Sequence, residues 1–320
     1  MTRIAVIGAG TLGARHLQAL ARLEAPLIVD LVDPSIDAQQ KALSICSHAG
    51  GVRGPVNCVS EVTSLSAVPD IAIVATNSRD RLAILRELIS SGCRKLILEK
   101  VLFTRREEYE IASQMILSGG AKVWVNCARR TAPRFHRLQE LTAGRAISYR
   151  VEGPDWGLAC NAIHHLDEWM FLSRAQQFIL TGCFEPELPP ARRNGYFEVL
   201  GAMSGEAGPH TFEALSVRGQ TTRPAGDRTI TIRCENTEFV IGQVSQDLVV
   251  RQDGQIVARE PYPFAMQSEA TAWHVAAILA GGEPSLPRYE ESAKLHLALL
   301  DVLMPHFQSL DPSLTECPIT

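Results

Sequence analysis

Up to residue 125 the chain alternates short, unbroken apolar runs with longer stretches whose apolar residues recur every three or four positions. The runs Ile4–Ile7, Leu27–Val32, Val56–Ser60, Asp70–Thr76, Lys95–Leu98 and Lys122–Val125 read as strands of a buried sheet. The stretches Ser35–Ala49, Arg79–Ser90 and Arg105–Leu117 read as helices; the second carries Leu82, Leu85, Leu88 and Ile89 on one face. Gly50–Gly51, Gly92 and Gly119–Gly120 punctuate their ends. Strand–helix alternation of this kind predicts an α/β domain, a doubly wound parallel sheet over residues 1–125. Ligands of such sheets sit at the carboxyl ends of the strands.

The pattern changes after Arg130. A helix carries Phe135, Leu138 and Leu141, and Ile147–Val151 reads as a strand. The segment from Trp156 to Asp167 leads into an apolar helix through Trp169, Met170, Phe171 and Leu172. From Tyr196 to Glu260 the text is strand-like: Thr229–Arg233 and Glu238–Ile241 alternate, and Asp253-Gly254 is a hairpin signal. Helices over Ser268–Ala280 and Tyr289–Phe307 close the chain. Residues 126–320 therefore read as a second, α+β domain on an open, mostly antiparallel sheet. One face of that sheet is left for water or another subunit. Phe239, Ile241 and Val249 are expected on it.

The turn after the first strand carries the clearest chemistry. Gly8, Gly10 and Gly13 form G-x-G-x-x-G, with Ala9, Thr11 and Leu12 between them and a helical pattern following. The first glycine permits the tight turn, the second lets a pyrophosphate approach the backbone, and the third lets helix and strand pack closely. The helix N-terminus supplies free N–H groups for the phosphates. Asp33, twenty residues past Gly13, ends the second strand, at the spacing of a carboxylate that holds a ribose hydroxyl. No lysine or arginine follows within Pro34–Asp37 to neutralise a 2′-phosphate, so NAD is expected over NADP. Without a ligand, the same features would be a glycine-rich turn and a strand-end cap.

Composition narrows the class. The chain has 320 residues, 46% of them hydrophobic, which supports two cores. A net charge of -4 with no long run of one sign gives no basic face for nucleic acid. No apolar stretch reaches the length needed to span a membrane, and the chain enters a strand directly after Met1-Thr2-Arg3, so a cytoplasmic protein is expected. The eight cysteines include no C-x-x-C pair, so neither a zinc site nor a redox pair is expected; they read as reduced thiols in the core.

Taken together, the ordered motifs resemble the glucose–fructose oxidoreductase / inositol dehydrogenase (Gfo/Idh/MocA) family. They are Gly8-x-Gly10-x-x-Gly13-x-x-His16, Glu99-Lys100 after the fifth strand, Asn126–Arg130 after the sixth, Ala162–Asp167 at a helix start, and Leu286–Ser292. The resemblance implies a Rossmann domain and hydride transfer between a nicotinamide and a hydroxyl or keto carbon of a sugar, nucleotide sugar or cyclic polyol. It implies that Ala75, Thr76, Asn77, Glu99 and Lys100 join Gly8–Gly13 and Asp33 around the cofactor. The open sheet commonly forms a subunit interface in the family, so the resemblance also implies a homodimer or homotetramer through it. This chain has Val101 where the family has proline and Cys160 where many members have aspartate. Both departures favour the alternative, a catalytically inactive nucleotide-sensing or regulatory protein on the same fold.

Alcohol oxidation needs a group that stabilises negative charge on oxygen and a base for the hydroxyl proton. Lys100, at a strand's carboxyl end, suits the first through the family motif, though its spacing alone reads rather as a solvated loop lysine. His164 suits the second, with Asp167 three residues on along the same helix face. Alternatively His164 is a core histidine and Asp167 a helix cap. His165 points elsewhere and is expected to pack with Trp169 or contact substrate. Arg129 and Arg130 suit a phosphate or carboxylate, or form a structural pair. Trp156 and Asp155 are candidates for a sugar face and its hydroxyls, and Asn161 is a candidate substrate contact.

Overall fold

The computed structural model describes residues 1–219, 227–264 and 266–320. The first ten elements are β1 (Thr2–Ile7), α1 (Thr11–Leu20), β2 (Leu27–Val32), α2 (Ile36–His48), β3 (Val56–Val59), β4 (Ile71–Val74), α3 (Arg81–Ser90), β5 (Lys95–Leu98), α4 (Arg106–Gly119) and β6 (Lys122–Val125). Their strands form one parallel sheet in the order β3-β2-β1-β4-β5-β6. The expected doubly wound domain is thus present. Its order reverses between β1 and β4, which creates the crevice where such folds bind ligands.

Then follow α5 (Pro133–Thr142), β7 (Ser148–Pro154), α6 (Leu158–Ser173), β8 (Ile179–Phe184), β9 (Gly201–Ala207), β10 (His210–Val217), β11 (Thr229–Cys234), β12 (Thr237–Gly242), β13 (Asp247–Gln252), β14 (Gln255–Pro261), α7 (Gln267–Leu279) and α8 (Tyr289–Leu310). The second sheet runs β14-β13-β12-β11-β7-β10-β9-β8. All its pairs are antiparallel except β7 with β10. Asp253 and Gly254, with φ of 49° and 80°, make the expected hairpin turn. Strand β8 was not expected: its residues are mostly exposed and it lies at a sheet edge, so no burial pattern marks it. Residues 220–226 of the strand-like region lie outside the described residues.

Two expectations are corrected. The chain divides into Met1–Ala128 with Ala265–Ala293, and Arg129–Phe264 with Lys294–Thr320, rather than at residue 125 alone. The reason is α7: its Val275 and Ile278 bury in one cluster with Leu17 and Leu20 of α1 and Ile4, Val6 and Val29 of the first sheet. Secondly, Phe239 and Ile241 lie opposite Ile232 and Ile230, which pair with Tyr149 and Val151. That face is covered by helices: Phe239 lines a hollow with Leu138 and Leu141 of α5. The open face instead carries Thr231, Val240, Val249 and Arg259 in one row.

Candidate functional site

In the first unit the glycine turn closes because two side chains are missing. Gly8 has φ of 95°, and a Cβ on Gly13 would fall 1.7 Å from the Gly8 carbonyl oxygen. Gly10 differs: a Cβ there would meet nothing within 4 Å. It is the exposed N-cap of α1, and no side chain caps that helix. The first-turn N–H groups at Thr11, Leu12 and Gly13 are thus available to an external acceptor. Asp33 locks the turn to β2: its carboxylate accepts the Ala9 N–H at 2.7 Å and the Ser35 N–H at 2.8 Å. A partly exposed carboxylate retains lone pairs for ribose hydroxyls. An open, uncapped turn with this acid beside it fits a dinucleotide.

Ala75 backs Gly8, and the Asn77 side chain accepts the Arg79 N–H at 3.0 Å at the end of β4. Arg81, 1% exposed, bonds the carbonyls of Thr76, Val101 and Leu102. One guanidinium therefore fastens the loops after β4 and β5 together. Lys100 is half-buried in the second loop, and the Lys100–Val101 peptide bond is cis.

Behind Lys100 lies a buried polar cluster. Glu99 pairs with His16 at 3.0 Å and with Asn126. His16 Nδ1 meets Thr271 Oγ1 at 2.8 Å, and Asn126 donates to Gln267 at 2.8 Å. Burial pushes the Glu99 carboxyl up, but the His16 hydrogen bond and charge, with Asn126, outweigh it and hold the group below its usual range. Glu99 is therefore a buried anchor, 4% exposed, at the strand end that carries Lys100.

In the second unit α6 sorts the two adjacent histidines. His164 is partly exposed. His165 has no exposure and meets Tyr149 Oη at 2.8 Å, Glu168 at 3.1 Å and Arg129 at 3.3 Å. Its ring stands edge-on to Trp156 at 5.3 Å, not against Trp169. Tyr149 also donates to Glu168. Nδ1–H of His165 thus donates to Glu168, and Nε2 accepts from Arg129, which makes His165 neutral. Burial, the largest influence, lowers its pKa to about 4 against the pull of Glu168.

The remaining candidates are placed as follows. Arg130 and Asp167 form a buried ion pair at 3.2 Å, with Arg130 over the Phe171 ring at 5.1 Å. Trp156 is 3% exposed and donates its indole N–H to the Leu215 carbonyl at 2.8 Å. Asn161 donates to the carbonyls of Gly157 and Trp156 at 3.0 and 3.3 Å. Side chains not singled out from sequence are Tyr149, Glu168, Arg228 and Glu198. Glu168 is one helical turn from His165, a spacing that could have revealed it. Glu198 accepts the Cys160 N–H at 3.2 Å at the start of α6; nothing local in sequence links the two. Among the described residues no group of histidine, cysteine or carboxylate side chains could hold a metal ion.

The pH dependence follows from His165. Folding lowers its pKa, so the unfolded chain takes up a proton at about 6.5 that the folded chain refuses until about 4. Stability is expected to fall as pH drops through that window, by at most ~1.4 kcal/mol per pH unit from this group. Thermal unfolding between pH 7 and 4 should show the fall, and His165→Gln should flatten it. An unchanged slope in the variant would contradict the neutral assignment.

Residues 2–127 match a family model described as oxidoreductase family, NAD-binding Rossmann fold, GFO_IDH_MocA. Comparison with curated protein sequences gives no match. Solved structures share the fold over nearly the whole chain. An oxidoreductase from Agrobacterium radiobacter in complex with NAD+, L-tartaric acid and magnesium has a TM-score of 0.71 at 15% identity, covering 94% of each chain. Levoglucosan dehydrogenase with NADH and levoglucosan gives 0.72 at 16%, covering 99% of each. The super-repressor mutant of Gal80p from Saccharomyces cerevisiae gives 0.72 at 13%, covering 96% of each. No helix among the described residues is long and apolar enough to cross a membrane. Residues 2–127 are thus similar to the NAD-binding Rossmann domain of the Gfo/Idh/MocA oxidoreductases, and the whole chain shares its fold with these solved structures.

Proposed function

We propose that this protein is an NAD-dependent oxidoreductase acting on a hydroxyl or keto carbon of a sugar, nucleotide sugar or cyclic polyol. One observation carries the reading. The open glycine turn after β1, the Ala75–Asn77 loop after β4 and Lys100 after β5 end three neighbouring strands of one sheet. Adjacent strand ends at the crevice of such a fold support a reading of the turn as a nucleotide cradle with a cation beside it.

A bound nicotinamide would supply hydride acceptance and donation. Gly10 and the α1 N-terminus would hold the pyrophosphate, and Asp33 the adenosine ribose. Lys100 would stabilise negative charge on the substrate oxygen, and His164 would take the hydroxyl proton. His165 is unsuited to that role because it stays neutral and buried. The Asp167–Arg130 pair would fix the α6 face from which His164 projects. The levoglucosan dehydrogenase neighbour supports a sugar-like substrate. The Gal80p neighbour supports the second reading, a regulatory protein that binds nucleotide without turnover. We place the protein in the cytoplasm and its self-association on the open sheet face, where Val249, Val240, Thr231 and the Arg150–Glu213 ion pair follow one another in a row. Light scattering should then report a homodimer or homotetramer at micromolar concentration; a monomer would remove this assignment.

NAD(H) is expected to bind more tightly than NADP(H), and Asp33→Ser should narrow the gap. Gly10→Ala should weaken both, because its methyl would enter the space left to the phosphates. Equal dissociation constants for the two cofactors in a fluorescence titration would refute the ribose role of Asp33.

Lys100→Met and His164→Asn are each expected to lower turnover by ~10²-fold or more with NAD affinity unchanged. Steady-state kinetics over a polyol and sugar panel checks this. Near-normal turnover in either variant would remove that residue from the chemistry. NAD binding without turnover of any panel member would favour the regulatory reading.

A further inference from the structure

Beneath the start of α6 the second sheet holds an arginine the reading above does not use. Arg228 precedes β11 and is 7% exposed. Its guanidinium lies 5.5 Å from the Trp156 ring, and its Nε is buried with no hydrogen-bond partner among the described residues. No described carboxylate forms an ion pair with it. Arg129 stands nearby, bonded to His165 and 5.9 Å over the Phe264 ring, also without a carboxylate partner among the described residues. Burial, and secondarily Arg129, lowers the Arg228 pKa to about 9, so Arg228 remains a cation at neutral pH.

The anion facing them is Glu168, already bonded by Tyr149 and His165. Asp227, beside Arg228 in the chain, is partly exposed and screened by solvent. Two guanidinia thus share one buried carboxylate. The polar surface around Arg228 is unfinished as well. Gln243 donates its backbone N–H to the Arg228 carbonyl at 2.9 Å, and Ser216 pairs with Gly153, whose own Cβ would touch the Arg228 Cα. Ser216, Gly153, Arg228 and Gln243 therefore form one row across four strands. Ser216 Oγ and Gln243 Oε1 are, like Arg228 Nε, buried without a hydrogen-bond partner among the described residues. Buried polar atoms in a native protein are normally satisfied, and an arginine fork matches the two oxygens of an oxyanion.

We propose that Arg228 and Arg129 form an oxyanion subsite, and that the sugar or polyol acted on carries a carboxylate or phosphate group. The inference rests on the oxidoreductase reading for the word substrate, but not for the binding. The free energy of one charge-assisted contact corresponds to about tenfold or more in affinity.

The test is calorimetry on the full chain with NAD present, using D-glucuronate and D-gluconate, D-glucose 6-phosphate, and the neutral D-glucose and myo-inositol. At least one anionic compound should bind about tenfold or more tightly than its neutral counterpart. Preference for the acids or for the phosphate identifies the oxyanion. Arg228→Gln and Arg129→Gln should each remove most of the preference and leave NAD affinity unchanged, while Arg228→Lys should retain part of it. If Arg228→Gln does not fold, the partly exposed Arg129→Gln carries the comparison. Anions binding no better than neutral sugars, or a preference that survives Arg129→Gln, overturns the subsite. Anion preference with no NADH formed on any compound would keep the subsite and overturn the oxidoreductase reading. Turnover of neutral sugars without anion preference would do the reverse.

Discussion

The first unit depends on one buried carboxylate. Glu99 ends β5 at 4% exposure, where an ionised group is stable only if its oxygens are bonded. His16 comes to it from α1 and Asn126 from the end of β6, while Thr271 and Gln267 of α7 hold those two in turn. Four elements far apart in sequence are thus aligned by one charge. Two consequences reach the crevice. The position of α1 sets the glycine turn, and the position of the β5 end sets Lys100. Loss of the carboxylate would strand buried donors at about 1–3 kcal/mol each, so the cradle and the cation are tied to the same constraint.

The second unit repeats the device with a different balance. Glu168 is buried under α6 and takes bonds from Tyr149 and His165. Burial raises its pKa, but those bonds and the Arg129 charge bring it below the usual range. Here the cluster includes two guanidinia, so positive charge exceeds what the buried acid balances. The first unit thus meets its buried charge internally, whereas the second retains an excess of positive charge beneath α6.

Much of the fold was legible because its signals are local. Gly8, Gly10, Gly13 and Asp33 identify a strand–turn–helix whose sterics allow few alternatives, and the buried strands β1, β4 and β5 are continuous apolar runs. What was not legible depends on partners distant in the chain. Helix α7 reads as an apolar helix, but only the structure shows Val275 and Ile278 buried against α1. Phe239 and Ile241 alternate as a strand should, yet alternation does not say which face a helix will cover. The pairs Asn126–Gln267 and Cys160–Glu198 join residues 141 and 38 apart, and no spacing rule connects them. Trp156 was read for its ring, while its burial follows from Arg228 and Leu215 on other strands.

The adjacent histidines show how placement sorts chemistry that composition leaves equal. Neighbours on a helix diverge by about 100°, so only one of the two can face the core. His165 does, and three bonded partners leave its nitrogens no free proton site. With its pKa near 4, it would be protonated in only a small fraction of molecules at neutral pH. A general base must both reach the substrate and change protonation near working pH. His165 meets neither condition, whereas His164 keeps partial exposure on the other face of α6. Burial thus separates two side chains of identical chemistry, and of the pair only His164 keeps exposure to solvent.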